Sequence, residues 1–462
     1  MSDDTSNIST IGLPACLGGE PVREPGTFRT TPERDQQEAD FLSKWVRGAT
    51  NWEPDAPNGG VALGEGLQLA RALTLDAEIL NALGWEPAAA AAEFGAIHAP
   101  GRNGLTFVPN NNGTRIITAV FAALTKWAEE MGLRTPQVGD EVIVPVATWQ
   151  ATAGALLSRN LVPVLVDVDP ATLTISPDAI ANALTDRTVG IVPVHLYGRM
   201  AEMDTIMAIA NERNLFVLED CAHAHGAVFG GGRPAGTIGH AGTFSMQGSK
   251  TLSCGEGGMA VSRFRALALQ IASIVTCGRQ LPGTEVFQAD NDRLPAPAAA
   301  LLRAQLRRFP EQKASRVDVF ARMDELELPG VTPLARQASV DVQPTYKQLF
   351  RFDLSRFGGM SLQQLAKALE AELGAEFAEI YTPLNASRLY TPHSDVANKI
   401  SADYWTRIDA ARFDAPVAAE AFRTVLAIEH ASGLDPEFPN RFAKAVGKIQ
   451  AHAERIAREL TV

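Results

Sequence analysis

A lysine, an aspartate and a serine stand in this chain in an order that suits imine chemistry. Lys250 lies in a stretch, residues 243–258, made of small, polar and glycine residues, thirty residues after Asp220 and five after Ser245. A lysine amine condenses with an aldehyde, a carboxylate pairs with a protonated pyridine nitrogen, and a hydroxyl ligates phosphate. Together these are the requirements of pyridoxal 5'-phosphate. Alone, each residue has a plainer reading: a lysine is most often a solvated surface group, and an aspartate a helix cap or ion-pair partner. The glycine-rich context of Lys250 suits a tight turn that admits a flat cofactor. Partly desolvated or held near a cation, its amine would lose its proton readily enough to act as nucleophile and proton shuttle.

Further residues fit the same chemistry. Asn112-Gly113-Thr114 precedes a helical pattern, and successive N–H groups at a helix N-terminus cradle phosphate; the plainer reading is an ordinary helix cap. Trp149 follows a strand end and could stack on a pyridine ring, although a lone Trp is usually core. His223 and His225 bracket Ala224. With no third ligand in view, a metal pair is the weaker reading, and a hydrogen bond from His223 to a cofactor ring oxygen the better one. No metal site is expected. Cys221, Cys254 and Cys277 read as small buried residues, and no CxxC pair occurs among the four cysteines.

These residues must be held by an alternation of strand and helix. Phe107-Val108 leads into the Asn-rich turn and a helix over 117–124. Short apolar strands then recur at Glu141–Pro145, Val162–Asp167, Gly190–Val194 and Leu215–Asp220. Such a pattern predicts a mostly parallel sheet covered on both faces, with ligands at the strands' carboxyl ends. Asp220 stands at such an end. Upstream, a helix is expected over 67–83, ended by Gly84 and Pro87. Basic amphipathic helix begins near residue 300, and a final helix is expected over 441–460. The expected organisation is an N-terminal arm over 1–60, a large domain over 61–300 and a smaller α/β domain over 301–462.

The 462 residues carry a formal net charge of −12 with 46% apolar and 20% charged residues. That balance argues against nucleic acid or an anionic membrane as partner, while leaving room for an anionic ligand in a local pocket. No apolar run reaches the roughly 18 residues of a membrane span. The polar, acidic start shows no signal-peptide pattern, and a reducing cytoplasm is the expected compartment.

Taken together, the chain resembles the DegT/DnrJ/EryC1/StrS family of pyridoxal-phosphate-dependent sugar and cyclitol aminotransferases. The match runs from about residue 105 to 310 and resumes weakly beyond. Asn112-Gly113-Thr114 falls on the family's phosphate loop, Trp149 on its stacking aromatic and Asp220 on its acid. Ser245 falls on its phosphate serine, Lys250 on its imine lysine, and residues 254–258 on the glycine-rich turn that follows. Asn291-Asp292-Arg293 falls on an Asn-x-Arg motif whose Asn reaches the phosphate of the neighbouring subunit. The resemblance therefore implies a homodimer with shared sites. Asp292 replaces an aromatic usual there, and the segment 63–104 is longer than the family pattern.

His223 in place of a frequent Gln, with residues 277–279, 302–306 and 381–385, is similar to the branch of glutamine:scyllo-inosose aminotransferases and aminohydroxybenzoate synthases. The implied fold is fold-type I: a large mostly parallel-sheet domain plus a smaller C-terminal α/β domain. The implied reaction is transfer of an amino group from L-glutamine or L-glutamate to a keto-cyclitol or ketosugar, with Arg279 and Arg293 as candidates to line the acceptor pocket. Alternatives stay open: an aromatising synthase or dehydratase of the same fold, a nucleotide-sugar aminotransferase, and a non-catalytic cofactor-binding regulatory protein.

Overall fold

Residues 83–284 and 288–461 are described by a computed structural model. The expected arm over 1–60, Cys16 and all but the last residue of the helix expected over 67–83 lie outside these residues. Gly84 does interrupt helical structure, as expected. Pro87, however, lies in the first turn of a new helix, α1 (Trp85–His98), because proline lacks only an N–H that this turn leaves unbonded. Ala88, Ala89, Ala90 and Ala91 of α1 are buried.

Seven strands form the main sheet: β1 (Thr106–Asn110), β2 (Glu141–Pro145), β3 (Val162–Val166), β4 (Thr188–Ile191), β5 (Phe216–Asp220), β6 (Ala241–Ser245) and β7 (Gly258–Ser262). Their spatial order is β1-β7-β6-β5-β4-β2-β3. Neighbours from β6 to β3 pair in parallel, and β7 runs antiparallel between β1 and β6. Every residue of β2, β5, β6 and β7 is buried. That pattern marks a sheet covered on both faces. The covering helices include α2 (Gly113–Trp127), α3 (Ala151–Leu157), α4 (Pro177–Ala183), α5 (Met203–Arg213) and α6 (Arg265–Val275).

Helix α2 starts where it does because Asn112 caps it, its side chain accepting from the Arg115 N–H at 2.9 Å. Its apolar residues from Ile116 to Leu124 then pack on the sheet. The loops after β1, β2, β5 and β6 all emerge at one edge, so sheet topology alone gathers Asn112, Trp149, Asp220 and Ser245.

The 29-residue helix α7 (Ala296–Asp324) passes through residue 300 unbroken. It lies on α1, where Arg303 bridges Glu86 and Glu93 at 3.0 and 2.8 Å, and leads to a second, antiparallel sheet. Its strands β8 (Val331–Pro333), β9 (Lys347–Phe352), β10 (Phe377–Glu379) and β11 (Val425–Glu429) lie in the order β8-β9-β11-β10. Helices α8 (Leu362–Leu373) and α9 (Phe438–Ala451) bury phenylalanines and leucines against it. The expected final helix over 441–460 is two helices, α9 and α10 (Ala453–Glu459), separated at His452.

Candidate active site

A cavity of about 580 Å³ opens at the carboxyl ends of the main sheet. Asn112, Gly113, Thr114, Trp149, Asp220, His223, Ser245 and Lys250 all line it. Eight of the nine residues expected at the site thus meet in one place.

The phosphate end is built by closeness. A Cβ placed on Gly113 would lie 2.8 Å from Ser245 Cβ and 3.2 Å from its Oγ. Only glycine therefore lets the start of α2 approach the end of β6. The N-terminal amides of α2 and the Ser245 hydroxyl then face the same space, and such a cradle holds an anion without needing a cation.

Asp220 lies at the end of β5, 6% exposed. Its Oδ2 accepts from Thr152 Oγ1 at 2.8 Å, and its Oδ1 from the Ala222 N–H at 3.1 Å. Thr148 and Thr152 hydroxyls are 3.0 Å apart, extending the chain of donors. Each carboxylate oxygen keeps acceptor capacity for a further donor, such as a protonated ring nitrogen.

His223 Nδ1 accepts from the Tyr197 N–H at 3.2 Å. A ring that accepts at Nδ1 carries its proton at Nε2 when neutral, and Nε2 lies 3.4 Å from the Tyr381 hydroxyl. Burial holds the imidazole well below its usual pKa, with the Lys250 ammonium adding to the effect. His223 is thus a fixed neutral N–H donor facing the cavity.

Lys250 follows a short turn in which its N–H donates to the Gln247 carbonyl at 2.9 Å. Desolvation lowers its amine pKa to about 8; the Asp220 carboxylate opposes that shift and Lys347 adds to it. An amine so poised is neutral in a large fraction at mildly alkaline pH, as nucleophilic and basic lysines require. Trp149, 46% exposed, sits at the mouth with its ring 5.5 Å from that of Tyr381.

Asn291 does not reach this cavity within the chain. With Arg279 and Arg293 it lines a separate cavity of about 750 Å³, together with Glu86 and Pro87. The two arginines therefore do not line the Lys250 cavity of this chain.

His195, Glu219 and Cys221 bring potential metal-binding atoms within 4.8 Å of one another. Glu219 is already saturated, however: its oxygens accept from Ile238, Gly239 and Gly236 N–H groups at 2.7, 2.7 and 2.9 Å and lie 3.0 Å from His195 Nε2. Burial also pushes the Cys221 thiol well up. This is a structural network behind the sheet.

The profile of DegT/DnrJ/EryC1/StrS aminotransferases matches residues 112–428. The chain belongs to this aminotransferase family. Within it, the L-glutamine:2-deoxy-scyllo-inosose aminotransferase of Streptomyces lividus is 38% identical over 328 residues, 68% of this chain and 77% of that one. The L-glutamine:scyllo-inosose aminotransferase of Streptomyces griseus is 37% identical over 334 residues, 69% and 78% of the two chains. Among solved structures, 3-amino-5-hydroxybenzoic acid synthase superposes with a TM-score of 0.66 at 27% identity, covering 86% of this chain and 98% of that one. DesI, solved in the presence of its TDP-sugar product, gives 0.64 at 25% identity, covering 82% and 91%.

Two further residues shape the cavity of this family member and were not expected there. Thr152 is the second residue of α3, and nothing local in the sequence marks it as a partner of Asp220. Tyr381 comes from the loop after β10, where its N–H donates to Tyr197 Oη at 2.8 Å. The sequence signalled Tyr381 only as part of a branch motif, without a place in the site.

Proposed function

We propose that this family member binds pyridoxal 5'-phosphate and moves an amino group from L-glutamine to a keto-cyclitol, as a cytoplasmic homodimer. The observation that carries the reading is the convergence of the Lys250 amine, the Asp220 carboxylate and the Gly113–Ser245 cradle in one cavity. Its residues fit the cofactor at each end: amides and a hydroxyl for phosphate, a carboxylate for the ring nitrogen, an N–H donor for the ring oxygen, an amine for the aldehyde. When bound, the cofactor supplies an electron sink for the amino acid's Cα.

This chain's own groups do the rest. Asp220, oriented by the donors from Thr152 and Ala222, would pair with the protonated ring nitrogen. His223 would donate from Nε2 to the ring oxygen. Trp149, at the mouth, would stack on the ring. Lys250 accepts the donor's Cα proton and returns it, a role its lowered pKa suits. Asn291 would act on the site of the neighbouring subunit, which is why it lies away from the cavity of its own.

L-Glutamine as donor and a keto-cyclitol as acceptor rest on the names of the relatives at 37–38% identity; L-glutamate remains the second donor to try. The likeness to 3-amino-5-hydroxybenzoic acid synthase supports a second reading, an aromatising synthase. The likeness to DesI supports a nucleotide-linked acceptor. Parallel incubations of amino-labelled L-glutamine with scyllo-inosose, with a TDP-linked ketosugar and with a polyhydroxylated cyclohexenone, each followed by mass spectrometry, separate these readings. A labelled aminocyclitol is the expected product. Labelled amine appearing only on a nucleotide sugar, or an aromatic product without amine transfer, would replace the cyclitol reading.

A further inference from the structure

Tyr346 lies outside the cavity lining, in the residue just before β9 of the smaller sheet, yet its side chain meets three parts of the lysine site. Its ring stacks on the His223 imidazole with centroids 4.2 Å apart and planes 23° apart. The Lys250 Nζ lies 5.0 Å from the centre of the same ring. Its hydroxyl is 3.1 Å from the Ser249 Oγ, in the residue that precedes the lysine. The backbone fixes this placement: the Tyr346 N–H donates to the Tyr197 carbonyl at 3.0 Å, and Tyr197 is the residue whose own N–H orients His223. Gly198 is what allows the approach, since a Cβ there would stand 2.8 Å from Tyr346 N. Tyr346 is 3% exposed, so its ring has one place to be.

From this geometry we propose that Tyr346 is the positioning residue of Lys250: it clamps the lysine turn through Ser249 and offers its ring face to the free amine while buttressing His223. The proposal rests on the reading of Lys250 as the reactive amine. An aromatic face within about 6 Å of an ammonium attracts it, giving the amine a defined resting place when it is not covalently engaged. The second sheet thereby sets the first sheet's lysine. His430, from the turn after β11, reinforces the clamp by donating from Nε2 to the Ser249 carbonyl at 3.1 Å, its ring 5.8 Å from that of Tyr346.

The charged and titratable groups around Lys250 are Asp220 from β5, His223 and His225 beyond it, Glu256 before β7, Tyr346 and Lys347 at β9, Tyr381 after β10 and His430 after β11. Replacing the ring of Tyr346 removes its effect without changing net charge.

The test is competitive trace acetylation of the apoprotein across pH, read at Lys250 by peptide mass spectrometry against the exposed Lys399. No cofactor chemistry is involved, so the measurement stands even if the proposed function fails. Tyr346→Leu removes the ring and Tyr346→Phe keeps it. The labelling midpoint of Lys250 is expected to fall by about half a pH unit in Tyr346→Leu and to hold in Tyr346→Phe. Phenylalanine with increasing ring fluorination at 346 keeps the shape while draining the ring face, and should lower the midpoint stepwise even if Tyr346→Leu fails to fold. Ser249→Ala should raise the Lys250 labelling rate by loosening the turn. A midpoint unmoved across the fluorinated series, or by Tyr346→Leu where it folds, overturns the proposal. Borohydride reduction of the reconstituted protein tests the underlying reading separately: cofactor found on a residue other than Lys250 would remove the reactive-lysine assignment and leave the contact with Tyr346 standing.

Discussion

Thr152 Oγ1 donates to Asp220 Oδ2 at 2.8 Å across the gap between α3 and β5. A hydrogen bond of this kind fixes the plane of the carboxylate. Asp220 is thus oriented before any ligand arrives, and its chemistry depends on a residue sixty-eight positions away in sequence.

Thr152→Val is expected to weaken cofactor retention about tenfold, from the loss of roughly 1.5 kcal/mol of charge-assisted bonding. Asp220→Ala should weaken it further, on the order of a hundredfold. Equilibrium dialysis of the cofactor against each apoprotein checks both. Unchanged retention in Asp220→Ala would remove its role at the ring nitrogen.

Gly113→Ala places a methyl against Ser245. The fold should survive, because Gly113 begins a helix and alanine is at home there, but the cradle should not. Phosphate and cofactor affinity should each drop at least tenfold by isothermal titration, with an unfolding midpoint close to that of the parent. Equal affinity would mean that the cradle is not the phosphate site.

Lys250→Ala is expected to abolish turnover and the visible absorption of the bound cofactor. The depressed pKa of Lys250, about 8 against an ordinary 10.5, also carries a stability signature in the apoprotein. Between those values the unfolded chain binds more protons at this residue than the folded one, so its destabilising effect fades as pH rises from about 8 to 10.5. Below pH 8 the effect is complete. Lys250→Met should therefore be more stable than the parent apoprotein near neutrality, by on the order of 2 kcal/mol, with the advantage shrinking through that window. A pH-independent difference in denaturant unfolding would contradict the assignment.

Buried histidines give a second pH signature. His98 is lowered to about 3, His240 and His430 to about 4, and His223 and His225 well below their usual range, desolvation being the largest cause in each. All five stay neutral when folded and take up protons when unfolded below about pH 6.5. Stability should hold above that pH and fall on acidification, each histidine approaching about 1.4 kcal/mol per pH unit before its folded pKa is reached. Denaturant midpoints that do not change between pH 7 and pH 5 would refute this.

How far the sequence carried the site depends on how local the signal is. Lys250, Ser245, Asp220 and the Asn112–Thr114 turn were legible because strand ends and a helix start announce themselves within a few residues. Thr152, Tyr381 and Tyr346 were not, because each reaches the cavity or its lysine turn only after the sheet has closed or the second sheet has docked. Strands β6 and β7 flank the lysine but are written Ala-Gly-Thr-Phe-Ser and Gly-Met-Ala-Val-Ser. Their small residues serve close approach, as where a Cβ on Gly242 would fall 2.2 Å from Gly236 Cα, and so they lack the apolar run by which strands are recognised. The break at His452 is equally silent, since the apolar periodicity continues through it.

The most direct test of the account is the absorption spectrum of the reconstituted protein before and after L-glutamine. The account predicts a visible band that requires Lys250 and is lost when L-glutamine is added, with 2-oxoglutaramate accumulating in proportion. A band that persists unchanged in L-glutamine, and in L-glutamate as well, would contradict amino transfer from these donors.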